Sequence, residues 1–434
     1  MIRLERSGHK EGLINKFWPR VRIKGDTLLK IPFLLKQESG RSLPAALITL
    51  AVGSILLAPF LSFVSTRSLG TRAAAETFNE QYASDAGVEF GIWSLLNDSA
   101  FRSQVDINAG IAQPLPFPSP INGYTPSITV TGIPIGSWYL REFAPQTINS
   151  GGSLAYAGGD RVYALRGNST TTFSYYSIAS DQWFGLANAL ESVGPGGDLV
   201  STGGNFLYAL SGNNEKYFLR YNIAGNSWEY MPETDKKVKA GGALAYSGGY
   251  IYALQGNSKV FWRYDISDNS WADMADTLNP IKAGGDLVAV VGNIYAFRGG
   301  NNPNFYKYDI SSSSWSSLQN APGGVSNGGS LAYFSGGYIY ALAGNSTGFW
   351  RYTVTINSWT VLTDTPSAVG LGGALEFTHS RSGFALRGGD NADFWEFEVT
   401  PPRYDISSQA GSVDTDARIE VDGSTKTILF WDID

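Results

Sequence analysis

The stretch GGALAYSGGYIYALQGNSKVFWRYDISDNSWADM, residues 241–274, contains the pattern that decides the fold of this chain. Its apolar runs, Ala243 to Tyr246, Tyr250 to Leu254 and Phe261 to Ile266, are short and are separated by Gly, Asn, Ser or Asp. Tyr, Phe, Trp and Ile are common in these runs, which favours strands over helices. Together with the segment that begins at Trp271, the runs predict four short strands joined by tight turns.

Six copies of this pattern occupy the chain from Gly151 to Val399, and each copy opens on a pair of glycines. Successive pairs are 45, 45, 43, 44 and 44 residues apart. A four-stranded antiparallel unit that recurs at this period indicates a β-propeller with one blade per copy. The pairs are Gly151/Gly152, Gly196/Gly197, Gly241/Gly242, Gly284/Gly285, Gly328/Gly329 and Gly372/Gly373.

Five copies also place a tyrosine seven residues before a tryptophan, as Tyr264 and Trp271 do. This spacing, with the segment YDISDNSW at 264–271, resembles the kelch repeat. The resemblance implies that the Tyr of the third strand and the Trp of the fourth pack between neighbouring blades. Four copies carry Gly-Asn where kelch repeats usually carry Gly-Gly, and both Gly and Asn tolerate positive φ.

The sixth copy reaches Pro401-Pro402 where its fourth strand should begin. Trp138 precedes Trp183 by 45 residues, so the segment around Trp138 is predicted to supply the missing strand and close the propeller, which spans 136–402. Tyr404, seven residues after Phe397, leaves self-completion of the sixth copy as the alternative.

The N-terminal region has the pattern of a membrane anchor. Residues 42–66 are 25 consecutive uncharged residues, enough to cross a bilayer, for which about 20 suffice. Residues 1–41 hold ten Lys or Arg and four acids, a net charge of +6, which predicts a cytoplasmic leader and an extracytoplasmic propeller. We therefore expect a single-pass membrane protein that contacts lipid through 42–66. These charges flank a span, which disfavours a nucleic-acid partner.

Beyond the span, Phe78, Tyr82, Ala86, Phe90 and Trp93 recur at helical spacing, and they predict that the helix continues through 67–100. Ser39-Gly40 and the segment YASDAGVEFGIWSLL at 82–96 resemble type IV pilin-like proteins, in particular minor pilins. The resemblance implies cleavage between Gly40 and Arg41, and other pilin subunits as partners on a pilus. Ala45 stands where pilins normally carry Glu, so an uncleaved anchor remains the alternative.

The C-terminal region is predicted to form strands at Arg403 to Ser408, Ala417 to Val421 and Thr427 to Trp431. With 101–135 these strands would build a small pilin-like β domain, 101–135 and 403–434, into which the propeller is inserted. The predicted fold class is thus mainly β: a six-bladed kelch-like β-propeller with a long N-terminal transmembrane helix and a small pilin-like β-sheet domain.

The composition excludes several chemistries. Cysteine is absent and only two histidines occur, His9 and His379, so thiol nucleophiles, thiolate metal sites and histidine clusters are ruled out. No phosphate-binding or dinucleotide motif occurs. We expect no catalytic residue, no metal and no cofactor. The acids that recur after the third-strand tyrosine, Asp265 and Asp309, are predicted to hold local turns.

A ligand-binding surface is predicted where the loops of all copies converge. The residue before the second-strand glycine varies among the copies, and Lys239 and Lys282 stand two residues ahead of their glycine pairs. Such cations can contact acidic sugars or other carboxylates. Solvated loop charges are the alternative explanation. The candidate ligand-binding residues are Arg166, Gln255, Arg298, Arg387, Lys239 and Lys282.

Three functions are compatible with the sequence. The leading hypothesis is a membrane-anchored, surface-displayed binding module, a pilus-associated subunit without enzymatic activity whose propeller recognises an extracellular glycan or protein. The alternatives are a structural subunit for pilus assembly without a ligand and a hydrolase acting on polysaccharide. Acids that converge in the axial pocket would favour the hydrolase, whereas a basic or aromatic pocket would favour the binding module.

Overall fold

The computed structural model describes residues 70–378, 381–422 and 425–434. Two helices occur in this part of the chain, α1 (Gly70–Asn97, 28 residues) and α2 (Ser99–Ile107, 9 residues). Asp98 separates them, because its carboxylate caps α2 by accepting hydrogen bonds from the backbone N–H groups of Ala100 and Phe101, both at 3.0 Å. The predicted leader at 1–41, the span at 42–66, the Gly40/Arg41 cleavage site and His379 lie outside the described residues.

The structure corrects the predicted localisation. Neither helix of the described ranges is both long and apolar enough to cross a membrane. The physical reason is visible in α1, where the predicted continuation of the span carries Glu76, Glu80, Asp85 and Glu89 within four turns. The single-pass membrane assignment, with its lipid contacts, is therefore not supported.

Each of the first five copies forms a four-stranded antiparallel sheet whose strands follow one another from the inside outwards, and the sixth copy forms three strands of such a sheet. These are sheets 1 to 6 in the order of the copies. Sheet 1 contains β4 (Ser153–Tyr156), β5 (Arg161–Leu165), β6 (Phe173–Ser177) and β7 (Gln182–Gly185), and sheet 2 contains β8 (Asp198–Ser201), β9 (Phe206–Leu210), β10 (Phe218–Asn222) and β11 (Ser227–Met231). Sheet 3 contains β12 (Gly242–Ser247), β13 (Tyr250–Gln255), β14 (Phe261–Asp265) and β15 (Ser270–Asp273), and sheet 4 contains β16 (Asp286–Val290), β17 (Asn293–Phe297), β18 (Phe305–Asp309) and β19 (Ser314–Ser317). Sheet 5 contains β20 (Ser330–Phe334), β21 (Tyr338–Leu342), β22 (Phe349–Thr353) and β23 (Ser358–Val361), and sheet 6 contains β24 (Ala374–Phe377), β25 (Ser382–Leu386), β26 (Phe394–Glu398) and β3 (Ser137–Leu140).

The six sheets follow one another around a ring in a propeller-like manner, because the innermost strand of each contacts the innermost strand of the next and β24 of sheet 6 contacts β4 of sheet 1. The fourth strand of sheet 6 is β3, in which Trp138 lies opposite Phe397. Tyr404 belongs to a different sheet. Each sheet remains an open ladder with two edges, and only side-chain and loop contacts join it to its neighbours.

Aromatic side chains fill the gaps between sheets. Phe218 of sheet 2, for example, packs edge-on against Tyr264 and Trp271 of sheet 3, with ring centroids 5.0 and 4.8 Å apart. The indole N–H of Trp271 also donates a 2.8 Å hydrogen bond to the carbonyl of Pro232, which follows sheet 2. The same tryptophan bond recurs at all six junctions. The seven-residue Tyr–Trp spacing therefore serves to fasten successive sheets.

A seventh sheet has five antiparallel strands in the order β1 (Gln113–Pro116), β2 (Ser127–Ile133), β27 (Arg403–Ala410), β28 (Val413–Asp422) and β29 (Thr425–Ile433). Helix α1 packs on one face through Val88, Ile92 and Leu95, which are buried. The approach is closest at Gly87, where an added Cβ would lie 2.0 Å from Oγ of Ser408.

These observations correct the predicted fold class. The described part of the chain is mainly β, with seven small antiparallel sheets and two short helices, rather than six blades joined to a long transmembrane helix. The glycine pairs account for six of these sheets, and the seventh comes from segments on either side of the repeats, 113–133 and 403–433. The strands predicted at 403–408, 417–421 and 427–431 are present as β27, β28 and β29.

Candidate functional site

Loops from all six repeating sheets meet on one face of the ring, here called the loop face. It consists of the turns between second and third strands and of the connections that lead to the next sheet. Each turn is bridged to one connection by a short antiparallel pair. The six pairs are Ile148↔Asn391, Thr170↔Val193, Glu215↔Val238, Ser258↔Ile281, Asn302↔Val325 and Ser346↔Val369. The loop face is thus held at six equivalent points.

The glycine pairs form the mouth of a funnel at the centre of the loop face. Gly241 has φ +88°, and a Cβ there would lie 2.3 Å from the carbonyl oxygen of Lys282 in the next connection. A side chain is therefore excluded both by backbone conformation and by the neighbouring loop. The funnel has a volume of about 480 Å³ with its open mouth, and backbone of the glycine pairs forms most of its wall.

Three carboxylates lie on the innermost strands directly below this mouth. Asp198 and Asp286 follow the glycine pairs of sheets 2 and 4, and Glu376 stands two residues further along in sheet 6. The residues that occupy the position after the pair are Ser153, Asp198, Ala243, Asp286, Ser330 and Ala374. Because sheets 2, 4 and 6 are not neighbours in the ring, their acids approach one another across its centre.

Each carboxylate binds the backbone of the next sheet. Asp198 accepts from the N–H of Leu244 at 2.7 Å, and Asp286 accepts from that of Leu331 at 2.6 Å. Glu376 accepts from the N–H of Tyr156 at 3.3 Å. The hydroxyls of Ser153 and Ser330 accept in the same way from Leu199 and Leu375, both at 3.1 Å. Side chains at this level therefore act as acceptors for N–H groups that the strand ladders leave free.

The three acids also interact electrostatically. Burial raises the pKa of Asp198 and, with the charge of Asp198, raises the pKa of Asp286 well above its ordinary value. Burial raises the pKa of Glu376 to about 8, and the charges of Asp198 and Asp286 add to that rise. Like charges that are close together and poorly solvated oppose ionisation of one another. The acids are thus a coupled set.

The three acids bind backbone groups of neighbouring strands and lie outside the lining of the funnel. None of the three carboxylates lines the funnel, so a ligand there meets glycine backbone before it meets an acid. Within the described ranges, no group of three or more acidic or histidine side chains is placed to hold a metal ion. The hydrogen bonds to the next sheet give each acid a structural task.

The predicted site residues of the second-to-third-strand turns fasten the loops. Arg166 donates from Nε to the carbonyl of Thr147 at 3.0 Å, and Arg387 donates from Nε to that of Ala368 at 3.3 Å. Gln255 donates to the carbonyl of Lys237 at 3.0 Å. The three carbonyls occupy equivalent positions in their connections. Each belongs to the residue before the Val or Ile that forms the short antiparallel pair with the turn. These side chains therefore hold the turn to the connection.

Arg387 and Arg298 have further partners. Arg387 forms an ion pair with Asp393 at 2.8 Å, and Arg298 donates to the amide oxygen of Asn304 at 3.1 Å. Nε of Arg298 is buried without a hydrogen-bond partner in the part of the chain that the structure describes. Arg387 therefore uses its Nε and one terminal nitrogen for bonds within the loop face, whereas Arg298 uses one terminal nitrogen.

Lys239 and Lys282 differ from these residues because their side chains are exposed. Their backbone carbonyls accept from the N–H groups of Gly242 and Gly285, both at 2.8 Å, which places both lysines at the rim of the funnel. Neither ammonium group has an ion-pair partner among the described residues. The equivalent positions in the other connections hold Asn149, Gly194, Ser326 and Gly370, so only two neighbouring loops carry a cation there.

Sequence reasoning missed the axial acids, although a signal was present. Asp198 and Asp286 directly follow a glycine pair, a position that holds Ser or Ala in the other copies. The prediction that the acids after the third strand hold local turns is confirmed. Asp265 and Asp309 accept hydrogen bonds from the following turns, as predicted.

No protein-family model matches this chain, and no curated protein matches it. Solved structures with similar architecture include the structure of YjhT, with 13% identity and a TM-score of 0.49, covering 67% of this chain and 99% of that one. A structural genomics protein of unknown function from Bacteroides thetaiotaomicron has 10% identity and a TM-score of 0.49, covering 65% of this chain and 78% of that one.

These findings correct both family resemblances. Neither the kelch resemblance nor the pilin resemblance is supported by a family match. The pilin resemblance rested on Ser39-Gly40, which lies outside the described residues, and on the segment 82–96, which in the structure covers a five-stranded sheet. A short amphipathic segment can arise wherever a helix packs on a sheet, so it did not identify a family.

Proposed function

We propose that this protein is a non-enzymatic recognition module that binds an acidic glycan on its loop face, with Lys239 and Lys282 as the main charge contacts. The main support for this proposal is the pair of exposed lysines on adjacent loops at the funnel rim, which have no ion-pair partner among the described residues. The two loops lie close together, because a Cβ added at Gly241 would lie 2.3 Å from the carbonyl oxygen of Lys282. Two cations on neighbouring loops can contact successive carboxylates of one chain.

The rigidity of the loop face supports this proposal. Six bridged pairs and the side chains of Arg166, Gln255 and Arg387 hold the loops before any ligand arrives. Pre-organised loops lose little conformational entropy on binding. Polar groups rather than exposed aromatics dominate the rim, which suits a hydroxyl-rich ligand better than the apolar core of a protein interface.

A polysaccharide hydrolase is less well supported. Convergent acids exist, as that hypothesis requires, but Asp198, Asp286 and Glu376 each bind backbone N–H groups of the next sheet and do not line the funnel. A glycosidase needs two carboxyl groups that flank the bond to be cleaved. The geometry favours a structural task for these acids.

Isothermal titration of the full chain with a tetrasaccharide of hexuronic acid, and with a neutral hexose tetrasaccharide, tests the proposal. We expect the acidic probe to bind and the neutral probe to bind at least tenfold more weakly. The double variant Lys239→Ala/Lys282→Ala should weaken acidic binding by about two- to thirtyfold, since each exposed ion pair contributes about 0.2–1 kcal/mol.

Lys307→Ala is the matched control, because Lys307 lies on β18 away from the funnel rim. It should leave the affinity unchanged. Equal affinity for the two probes, or unchanged affinity of the double lysine variant, would refute the assignment. Release of shorter saccharides during incubation would support the hydrolase instead.

A further inference from the structure

A second cavity lies at the junction between the seventh sheet and the ring. Its walls come from the end of α2 and the following turn (Asp106, Ala109), the link between β2 and β3 (Pro134, Ile135), and residues 360–363 of β23 and its extension. Its volume is about 250 Å³, which is enough for a ligand of one small ring, although small-molecule sites usually measure about 300–1,000 Å³. It is separate from the funnel.

Asp106 is the main polar group of this cavity. Its Oδ1 accepts a 2.7 Å hydrogen bond from the hydroxyl of Tyr404, and that hydroxyl accepts one of 3.2 Å from Nε of Arg102. This chain of bonds orients the carboxyl group. The second oxygen, Oδ2, has no hydrogen-bond partner in the described part of the chain, so the carboxyl group has an acceptor left for a ligand.

Thr360 supplies a second polar group. It is 5% exposed, whereas the residues that follow the other five tryptophans, among them Ser316, are exposed. The difference arises because α2 covers this one place on the ring. The hydroxyl of Thr360 makes no hydrogen bond to another described residue. Ile135 and Leu362, 5% and 8% exposed, provide an apolar wall beside it.

The charges around the cavity select the kind of ligand. Arg102 and Arg351 are the positive groups whose charges act on Asp106. Arg351 is 4% exposed and lies opposite Thr360 in the register of sheet 5. Two guanidinium groups against one carboxyl group repel an incoming cation, although a carboxylate alone would attract it. A neutral ligand with hydrogen-bond donors is not repelled.

We propose that this junction cavity binds a small neutral polyol of the size of one sugar ring. One ring hydroxyl donates to Asp106 and a second pairs with the hydroxyl of Thr360, while the C–H face packs on Ile135 and Leu362. Tyr404 and Arg102 act as positioning residues for the carboxyl group. This site is independent of the proposed recognition of acidic glycans on the loop face.

Saturation-transfer NMR and isothermal titration of the full chain with methyl glucoside, galactoside and mannoside test the proposal, with propylammonium as the cationic comparison. We expect at least one hexoside to bind and propylammonium not to bind. Thr360→Val, which keeps the shape and removes the hydroxyl, should weaken binding at least fivefold. Asp106→Asn should also weaken binding at least fivefold, because the amide replaces one acceptor oxygen of the carboxyl group by an NH₂ group that cannot accept the ligand's hydrogen bond.

The matched controls are Ser316→Ala, which removes the hydroxyl at the equivalent place of sheet 4, and Lys239→Ala/Lys282→Ala, which alters only the loop face. Both should bind the hexoside like the unmodified protein. The site assignment fails if no hexoside binds, if propylammonium binds as tightly, or if Thr360→Val binds normally. Should Asp106→Asn not fold, Thr360→Val decides alone.

Discussion

The carboxylate of Asp198 accepts a 2.7 Å hydrogen bond from the backbone N–H of Leu244, which belongs to the next sheet around the ring. Asp286 repeats this contact with Leu331. Bonds of this kind run around the axis rather than along a strand ladder. They tie sheets together where the backbone approaches the centre and where no room exists for large side chains.

Asp198→Ala should lower the free energy of unfolding by about 1–3 kcal/mol, because the N–H of Leu244 loses its acceptor in a buried place. Asp198→Ser should be milder, since Ser153 and Ser330 perform the same task in sheets 1 and 5. Thermal unfolding of both variants provides the measurement. An Asp198→Ala variant as stable as the unmodified protein would show that the axial contact contributes nothing.

Glu376 is expected to make stability depend on pH. Its folded-state pKa of about 8 lies above the ordinary value of 4.5, so the folded protein binds more protons than the unfolded chain between these limits. The stabilisation that Glu376 adds to the free energy of unfolding is therefore fully present below about pH 4 and is lost as the pH rises through about 8. Glu376→Gln keeps an acceptor for Tyr156 and should remove this loss.

Melting temperatures between pH 5 and pH 9 test this expectation. The curve of the unmodified protein should fall more steeply with pH than that of Glu376→Gln, by a slope that corresponds to at most one proton. Glu398→Gln, on the same sheet but exposed, controls for the removal of a carboxylate. Parallel curves for the unmodified protein and Glu376→Gln would contradict the axial assignment.

Ser313 is a position where the repeat itself suggests a stabilising change. The hydroxyls of Tyr221 and Tyr352 donate to the side chains of Asn226 and Asn357, five residues further along, at 2.8 and 2.7 Å. In sheet 4 the fifth residue is Ser313, and the buried hydroxyl of Tyr308 has no partner in the described part of the chain. Asn suits this place because Ser313 has φ +52° and Asn357 has φ +50°.

Ser313→Asn should raise the free energy of unfolding by about 0.5–1.5 kcal/mol, the usual net contribution of one hydrogen bond. The measurement is chemical denaturation, repeated in a Tyr308→Phe background. The gain should disappear there, since the donor is absent. A gain of the same size in both backgrounds would mean that the new asparagine acts through something other than Tyr308.

Gly241 and Gly249 form a matched pair for the funnel. Both have φ +88°, but a Cβ at Gly249 meets nothing within 4 Å, whereas one at Gly241 meets the Lys282 carbonyl at 2.3 Å. Gly249→Ala should cost about 1–3 kcal/mol for backbone strain alone. Gly241→Ala should cost clearly more or prevent folding. Similar melting temperatures for the two variants would show that the loops yield at the funnel.

The periodic features of the structure were accessible from the sequence. The strands predicted at Ala243 to Tyr246, Tyr250 to Leu254 and Phe261 to Ile266 correspond to β12, β13 and β14. The Gly-Asn turns have positive φ at both residues, for example +77° at Gly256 and +50° at Asn257. Such features depend on the turn-forming residues and on the alternation of apolar and polar residues along each strand, both of which can be read directly from the sequence.

The remaining features depend on contacts between distant residues. Glu376 and Asp198 stand 178 positions apart in the numbering, and only ring closure brings them into electrostatic contact. Asp106 and Tyr404 meet because α2 packs against β2, which pairs with β27. The membrane and pilin assignments failed for a related reason, since they extended a local apolar pattern to a whole architecture. The hydrogen-bond partners of the predicted site residues, such as the Thr147 carbonyl that binds Arg166, could not be read from the sequence.

Recognition of an acidic glycan by the loop face can be mapped along the chain. The measurement is hydrogen exchange of backbone amides with and without a saturating tetrasaccharide of hexuronic acid. We expect protection confined to the connections around Lys239 and Lys282 and to the turns bridged to them, at 212–216 and 256–259. Protection on the outer strands or the seventh sheet alone, or none at all, would contradict it.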